Sequence, residues 1–268
     1  MKHKNYLFAV LVLTASSARV SAARVAVLIV GQPKIEDPII IESIRTRIIE
    51  PLHAQGHSTD VALCETLHMK DAWTEMTLER LQPYFEFDLN ATNQLERVHK
   101  CSHKLHESTG ARYDWFIKTR PDLMLWENVP PLETLDASKV HARLLSAVNI
   151  TGLKYGSFNT AFNNAGCNPD ACTPGPCSTA CAVYDDQLAV VGGSTAAHAF
   201  LHAFEHTEGA TECGWPQGGF PEHHYTRAVL RGGGVFEPLT LEARLWKRLG
   251  ANYENLPLFM NAKTKKDC

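Results

Sequence analysis

Positive charge is not in excess in this 268-residue chain: 26 Lys and Arg stand against 29 Asp and Glu, a net charge of -3. The basic footprint of a nucleic-acid binder is therefore missing, and no nucleic-acid partner is expected. Also missing are a G-x-x-x-x-G-K-[ST] loop, a G-x-S-x-G elbow and an H-E-x-x-H pair. Those absences set aside P-loop, serine-hydrolase and zinc-protease chemistry. Gly31-Gln32-Pro33 is no dinucleotide fingerprint. No internal repeat or linker divides the chain, so a single domain is expected. Past the N-terminus no segment is apolar enough to span a bilayer, which takes about 20 residues.

What is present begins with a secretory pattern. Lys2, His3 and Lys4 precede the apolar run Tyr6 to Ala15, and Val20-Ser21-Ala22 supplies a cleavage site. Residues 1–22 read as a signal peptide, and 23–268 as the α/β domain. Ser16, Ser17, Arg19 and Arg24 interrupt the run too early for a membrane anchor. Loss of the three cations Lys2, Lys4 and Arg19 leaves 23 against 29 carboxylates, a charge of -6. Secretory entry places the protein in the ER or Golgi lumen or outside the cell. It also explains eight cysteines as disulfides. Cys167, Cys172, Cys177 and Cys181 are spaced more widely than the C-x2-C pairs usual in zinc knuckles, so in an oxidising compartment disulfides are expected, with a zinc knuckle as the alternative; bridges there would pin the long loop 149–181. Eight cysteines allow 105 pairings, and spacing selects none. Asn90-Ala91-Thr92 and Asn149-Ile150-Thr151 are sequons. The terminal Lys265-Lys266-Asp267-Cys268 reads as a solvated tail.

The mature chain opens with Arg24 to Val30, a continuous apolar run ending in Gly31, as buried parallel strands do. Helical spacing follows over Pro38 to Leu52, with Asp37 as cap and proline at the first helical position. A strand over His57 to Cys64 completes β-α-β, which implies a parallel sheet and an α/β fold. Further helices are predicted over Asp71 to Leu81, Asn93 to Thr109, Ser194 to His206 and Pro221 to Arg231. Further strands are predicted over Tyr113 to Thr119, Lys139 to Leu145 and Gln187 to Val191, and Val235 to Leu239 reads as extended chain.

The segment Tyr113 to Leu123 carries the most chemistry. Alternation along a strand puts Phe116, Lys118 and Arg120 on one face. Pro121 ends the strand, so Asp122 sits at an exposed position just past its carboxyl end, where open α/β sheets bind ligands. Two cations and a carboxylate there suit a diphosphate: Arg120 by a bidentate contact, Asp122 through a divalent metal. The structural alternative is an Arg120–Asp122 ion pair that fixes the turn.

The run YDWFIKTRPDL resembles the signature of a eukaryotic family of secretory glycosyltransferase-like domains, similar in plan to nucleotide-sugar glycosyltransferases of the GT-A fold. The strand ending at Gly31, the helix through Ile49-Glu50-Pro51-Leu52, the unit Leu95 to Asp114 and the strand Tyr184-Asp185-Asp186-Gln187 to Val191 match the same plan in the same order. The resemblance covers most of the mature chain. It implies a single GT-A-like domain with a mostly parallel central sheet flanked by helices. It also implies a nucleotide-sugar donor and a glycan or glycoprotein acceptor, with sugar transferred to a hydroxyl. Asp122 falls near the usual metal-binding D-x-D, where manganese or magnesium would be expected. Arg120 stands in place of the first carboxylate, and one carboxylate is a weak site for a hard cation. Arg120 and Lys118 then supply the positive charge at the diphosphate, with Gly31 beside them.

The remaining candidates are acidic and aromatic. Asp185 and Asp186, at the start of their strand, are candidates for orienting or deprotonating the acceptor; the alternative is a surface turn pair. Trp215 and Phe220, in a Gly-rich loop, suit stacking on sugar rings. Glu222 in the first turn of the following helix is a candidate general base, although the helix dipole alone favours a carboxylate there. A secreted glycan-binding protein with a degraded site is the rival reading.

Overall fold

The computed structural model describes residues 22–31, 38–65, 79–81, 84–147, 182–206 and 221–245. The predicted signal peptide up to residue 21, Asp37, most of the predicted helix 71–81, Asn149, the four cysteines from Cys167 to Cys181, Trp215 and Phe220 lie outside them. Strand β1 (Arg24–Val30) is buried from Val25 onward. It pairs in parallel with β2 (Ser58–Glu65) on one side and β4 (Trp115–Thr119) on the other. An all-apolar strand belongs at such a centre because both its faces are covered. β3 (Tyr84–Asp88) extends the sheet beyond β2. On the other side come β7 (Ala182–Gly192), β6 (Val140–Ala147) and β8 (Phe236–Pro238).

The resulting order is β3-β2-β1-β4-β7-β6-β8. Only β7 runs antiparallel to its neighbours. This is an α/β architecture with a seven-stranded, mostly parallel sheet, as the β-α-β opening implied. A second antiparallel pair joins β5 (Leu123–Leu125) to β9 (Ala243–Leu245).

One face of the sheet packs α1 (Pro38–Ile44), a π-helical turn (Arg45–Ile49) and α2 (Glu50–Ala54). Ile40, Ile44, Ile48 and Leu52 meet Val25, Val27, Ile29 and Ile117 there. The π turn has a cause in the sequence. Pro51 has no N–H for the Arg47 carbonyl, and its ring crowds that carbonyl. Val129 N–H takes the vacated place at 2.8 Å, while Glu50 N–H bonds back to the Arg45 carbonyl.

The other face packs α3 (Gln94–Thr109), α4 (Ser194–Leu201) and α5 (Pro221–Arg231). α3 starts where Asn93 accepts from Glu96 N–H at 2.9 Å, while the Glu96 carboxylate accepts from Thr92 N–H at 2.7 Å. It stops at Gly110, with φ 61°. A disulfide joins Cys64 at the end of β2 to Cys101 inside α3. Among the described residues no helix is long and apolar enough to cross a membrane.

Candidate functional site

Strand order creates a crevice at the centre of the sheet. From β1 the chain steps outward to β2 and β3, then returns to the far side of β1 as β4. The carboxyl ends of β1 and β4 therefore form a topological switch point, the position where open α/β sheets bind ligands. Gly31 closes β1 with φ +142°. A Cβ on Gly31 would come within 3.2 Å of Pro121 Cδ, so the loops after β1 and β4 touch. The predicted neighbourhood of Gly31 and Asp122 is present.

The loop after β4 is a tight turn. Leu123 N–H bonds the Arg120 carbonyl at 3.3 Å, with Pro121 and Asp122 between. β5 anchors its far side, since Leu125 N–H donates to Ser43 Oγ at 3.2 Å. Within the turn, Arg120 Nε and Nη2 donate to the two oxygens of Asp122 at 2.7 and 2.9 Å. The ion pair foreseen as the structural alternative is thus made. Burial works against the Arg120 charge, but Asp122 and the more distant Asp186 and Asp185 outweigh it and raise its pKa. No described residue accepts from Arg120 Nη1, and the side chain keeps 22% of its surface exposed. Asp122 is buried, 6% exposed, contrary to the exposed strand end expected from the sequence, because β5 folds back against α1 immediately after it.

Lys118 differs from its expected place at the diphosphate. It is 2% exposed, on the α3/α4/α5 side of the sheet, and donates to the main-chain carbonyl of Asp186. Burial lowers its pKa to about 8, with Asp186 the main opposing influence. In this geometry Lys118 ties β4 to β7 from below the crevice.

Asp185 and Asp186 reach the same edge because β7 is antiparallel: the amino end of that strand lies at the carboxyl end of β4. They are the fourth and fifth residues of β7 rather than residues of a turn before it. The ladder with β6 is interrupted there. Ala142 pairs with Ala189 and Leu144 with Tyr184, so β7 carries extra residues against β6. Such a bulge redirects side chains. Tyr184 faces the α3/α4/α5 side and Leu188 the opposite side.

The bulge separates the two carboxylates in role. Asp185 is fully enclosed: Arg143 on β6 holds it through Nε at 2.7 Å and through Nη2, and Gln187 N–H donates to Oδ1 at 2.8 Å. Burial pushes Asp185 upward in pKa, against the pull of Arg143. Arg143 also reaches Gln187 Oε1 at 3.0 Å and the Ala243 carbonyl. Asp185 is therefore spent on structure. The Asp186 carboxylate has no hydrogen-bond partner among the described residues.

Two further polar groups near this edge escaped the sequence reading. The Tyr225 hydroxyl, on α5, is buried with no partner among the described residues; burial and the nearby Asp186 and Asp185 raise its pKa well above the ordinary value. Thr119 Oγ1, at the end of β4, is also buried and has no partner among the described residues. Arg143 was missed as well, although an arginine inside a predicted strand (KVHARLL), two residues on from His141 and so on the same face, was the available signal. Glu222 stands in the first turn of α5, one turn before Tyr225 and Thr226, and Thr226 Oγ1 accepts from Tyr184 N–H at 2.9 Å. The middle of α5 thereby lies against the amino half of β7.

The residues do not suit a hard divalent cation at Asp122. Both oxygens of its carboxylate are taken by Arg120, which also fills the position a second carboxylate would need. Away from this edge, His99, His202 and Glu205 form a separate cluster on α3 and the segment after α4. Comparison of the chain with protein-family models and with curated proteins finds no match.

Proposed function

We propose that the chain is a lumenal or secreted glycosyltransferase of GT-A-like plan, moving a sugar from a nucleotide diphosphate donor to a hydroxyl of a glycan or glycoprotein. The observation that carries this reading is the meeting of Gly31 with the Arg120-Pro121-Asp122 turn at the switch point, with Asp186 delivered to the same edge by the antiparallel β7. The Cys64–Cys101 bridge supports an oxidising compartment.

In this reading the donor diphosphate lies in the crevice between the loops after β1 and β4. Asp122 holds the Arg120 guanidinium by two of its nitrogens and leaves Nη1 for a phosphate oxygen. As the bond between the sugar and the diphosphate breaks, negative charge grows on that oxygen, and a fixed guanidinium stabilises it more than water does. No metal takes part, because the carboxylate that would bind it is occupied by Arg120. Asp186 accepts the proton of the acceptor hydroxyl, with Glu222 at the start of α5 as the alternative base. Trp215 and Phe220 supply the stacking surface for the acceptor.

A second reading has one observation in its favour. The bidentate Arg120–Asp122 pair satisfies itself, as it would in a glycan-binding protein of the same fold without turnover. Thermal-shift titration with nucleoside diphosphates, with and without manganese, separates the two. The transferase reading expects stabilisation by a nucleoside diphosphate that manganese does not enhance. It also expects Arg120→Gln to lower transfer or donor hydrolysis by ~10²–10³. If the wild type binds no nucleoside diphosphate and turns over no nucleotide sugar, the transferase reading fails and the glycan binder stands.

A further inference from the structure

Histidines gather where α3 meets the end of α4. His99 Nδ1 lies 3.2 Å from the Leu201 carbonyl. A carbonyl only accepts, so Nδ1 carries the proton and Nε2 keeps its lone pair. The His202 ring meets His99 edge-on, with centroids 4.7 Å apart. One turn later, in the 3₁₀ segment Ala203–His206, Glu205 Oε1 lies 2.8 Å from His202 Nδ1. One ligand atom from each of the three lies within 4.8 Å of the other two. All three side chains retain exposed surface, so an ion can enter from solvent.

We infer that His99, His202 and Glu205 form a binding site for one transition-metal ion, zinc foremost, with water as the fourth ligand. Two imidazoles and a carboxylate suit zinc or copper, whereas magnesium and calcium prefer all-oxygen sets. Zinc–ligand distances of about 2.0–2.2 Å put neighbouring ligand atoms of a tetrahedron roughly 3.3–3.6 Å apart. The His202–Glu205 pair must open by a fraction of an ångström to reach that spacing. His99 must close on the pair by about 1 Å or slightly more to reach the same spacing, a change within the reach of side-chain rotation. The Leu201 carbonyl provides the outer hydrogen bond that orients a metal-bound imidazole.

Both supporting elements are fixed independently of the ion. α3 is capped at Asn93 and bridged at Cys101, and the α4 segment buries Phe200 and Ala203. The site stands on the helical face of the sheet and does not depend on the proposed transferase chemistry. Its ion would tie α3 to the segment after α4, stabilising the fold by mass action.

The test uses the full chain prepared without a polyhistidine tag. Zinc is titrated in competition with a chromophoric chelator, and cobalt replaces it for visible spectroscopy. The expected result is one zinc per chain at micromolar affinity or tighter, a melting temperature that rises with zinc, and a four-coordinate cobalt spectrum. His99→Asn combined with His202→Asn should weaken binding at least ~100-fold, beyond the loss typical of outer-shell partners. His103→Asn, one helical turn away on α3, should leave binding unchanged. Should the double variant fail to fold by circular dichroism, Glu205→Gln alone provides the reading, with a loss of tenfold or more expected by the same comparison. A wild type that takes up no zinc overturns the site. So does binding that survives these substitutions, since other histidines, His198 beside His202 among them, would then be the ligands.

Discussion

Lys118 lies on the α3/α4/α5 side of β4, with apolar neighbours on both adjoining strands. Its ammonium is stabilised by the Asp186 carbonyl and by Asp186, Asp185 and Asp122, yet burial wins and lowers its pKa from 10.5 to about 8. The displacement corresponds to ~3 kcal/mol. Between pH 8 and 10 the unfolded chain keeps the lysine proton that the native chain releases, so the unfolded state binds more protons and stability rises with pH. Above pH 10 the tyrosines reverse the trend. Burial holds Tyr184 and Tyr113 up at about 12, so the unfolded chain loses those protons first. Urea midpoints should therefore climb from pH 8 to about 10 in the wild type and stay flatter in Lys118→Met. Equal slopes in the two proteins would mean that Lys118 is solvated. Alternation read from the sequence placed Phe116 and Lys118 on the same face correctly. It did not reveal that this face too is buried at Lys118, because covering helices are a tertiary matter.

Legibility at the level of elements followed the strength of local signals. α3 was readable to within a residue because Asn93, Glu96 and Gly110 mark its ends chemically. β1 was readable because a strand buried on both faces is apolar throughout. β3, with the sequence YFEFD, was not proposed as a strand, and neither were the three-residue strands β5 and β9, whose pairing is wholly non-local. Periodicity started the strand only at Gln187 and left the amino half of β7 out, because Asp185-Asp186 is a poor strand sequence. Arg143 from β6 explains how the chain tolerates it: a buried carboxylate is acceptable when a guanidinium pairs with it. Removing one partner should then hurt more than removing both. Arg143→Met leaves Asp185 buried and unpaired and should cost ~3–5 kcal/mol. Asp185→Leu in the same chain should restore most of that loss, as apolar replacement of a buried pair often does. Chemical denaturation of both single variants and the double variant measures the coupling. Additive losses would mean that the bulge does not depend on the pair.

At the scale of the molecule, the candidate site is held from two directions: β7 and α5 support the Asp186 side, and β1, β2 and α3 support the Gly31 side. The order of strands around β1 was foreshadowed by the β-α-β opening, but the antiparallel insertion of β7 was not, since strand direction leaves no mark in composition. Cysteine pairing was equally illegible, because residues 64 and 101 come together only through the packing of α3 on β2. The Cys64–Cys101 bridge closes 37 residues of chain, and α3 also reaches β1 directly, with Gln94 Nε2 donating to the Val30 carbonyl at 3.0 Å. In the chain-entropy model a loop of this length restrains the unfolded state by about 4 kcal/mol. Replacing both cysteines by alanine should therefore lower stability by ~4–5 kcal/mol, the upper end of the usual range. Both sulfurs are fully buried, so the lost packing adds to the entropic term rather than offsetting it. Because α3 contacts the strand that ends at Gly31, the loss should extend to the site: hydrogen exchange at the start of α3 and at Val30 should accelerate more than at β6 and β8 on the far side of the sheet. Uniform acceleration across the sheet would show that the bridge acts only on the unfolded chain and does not organise the crevice.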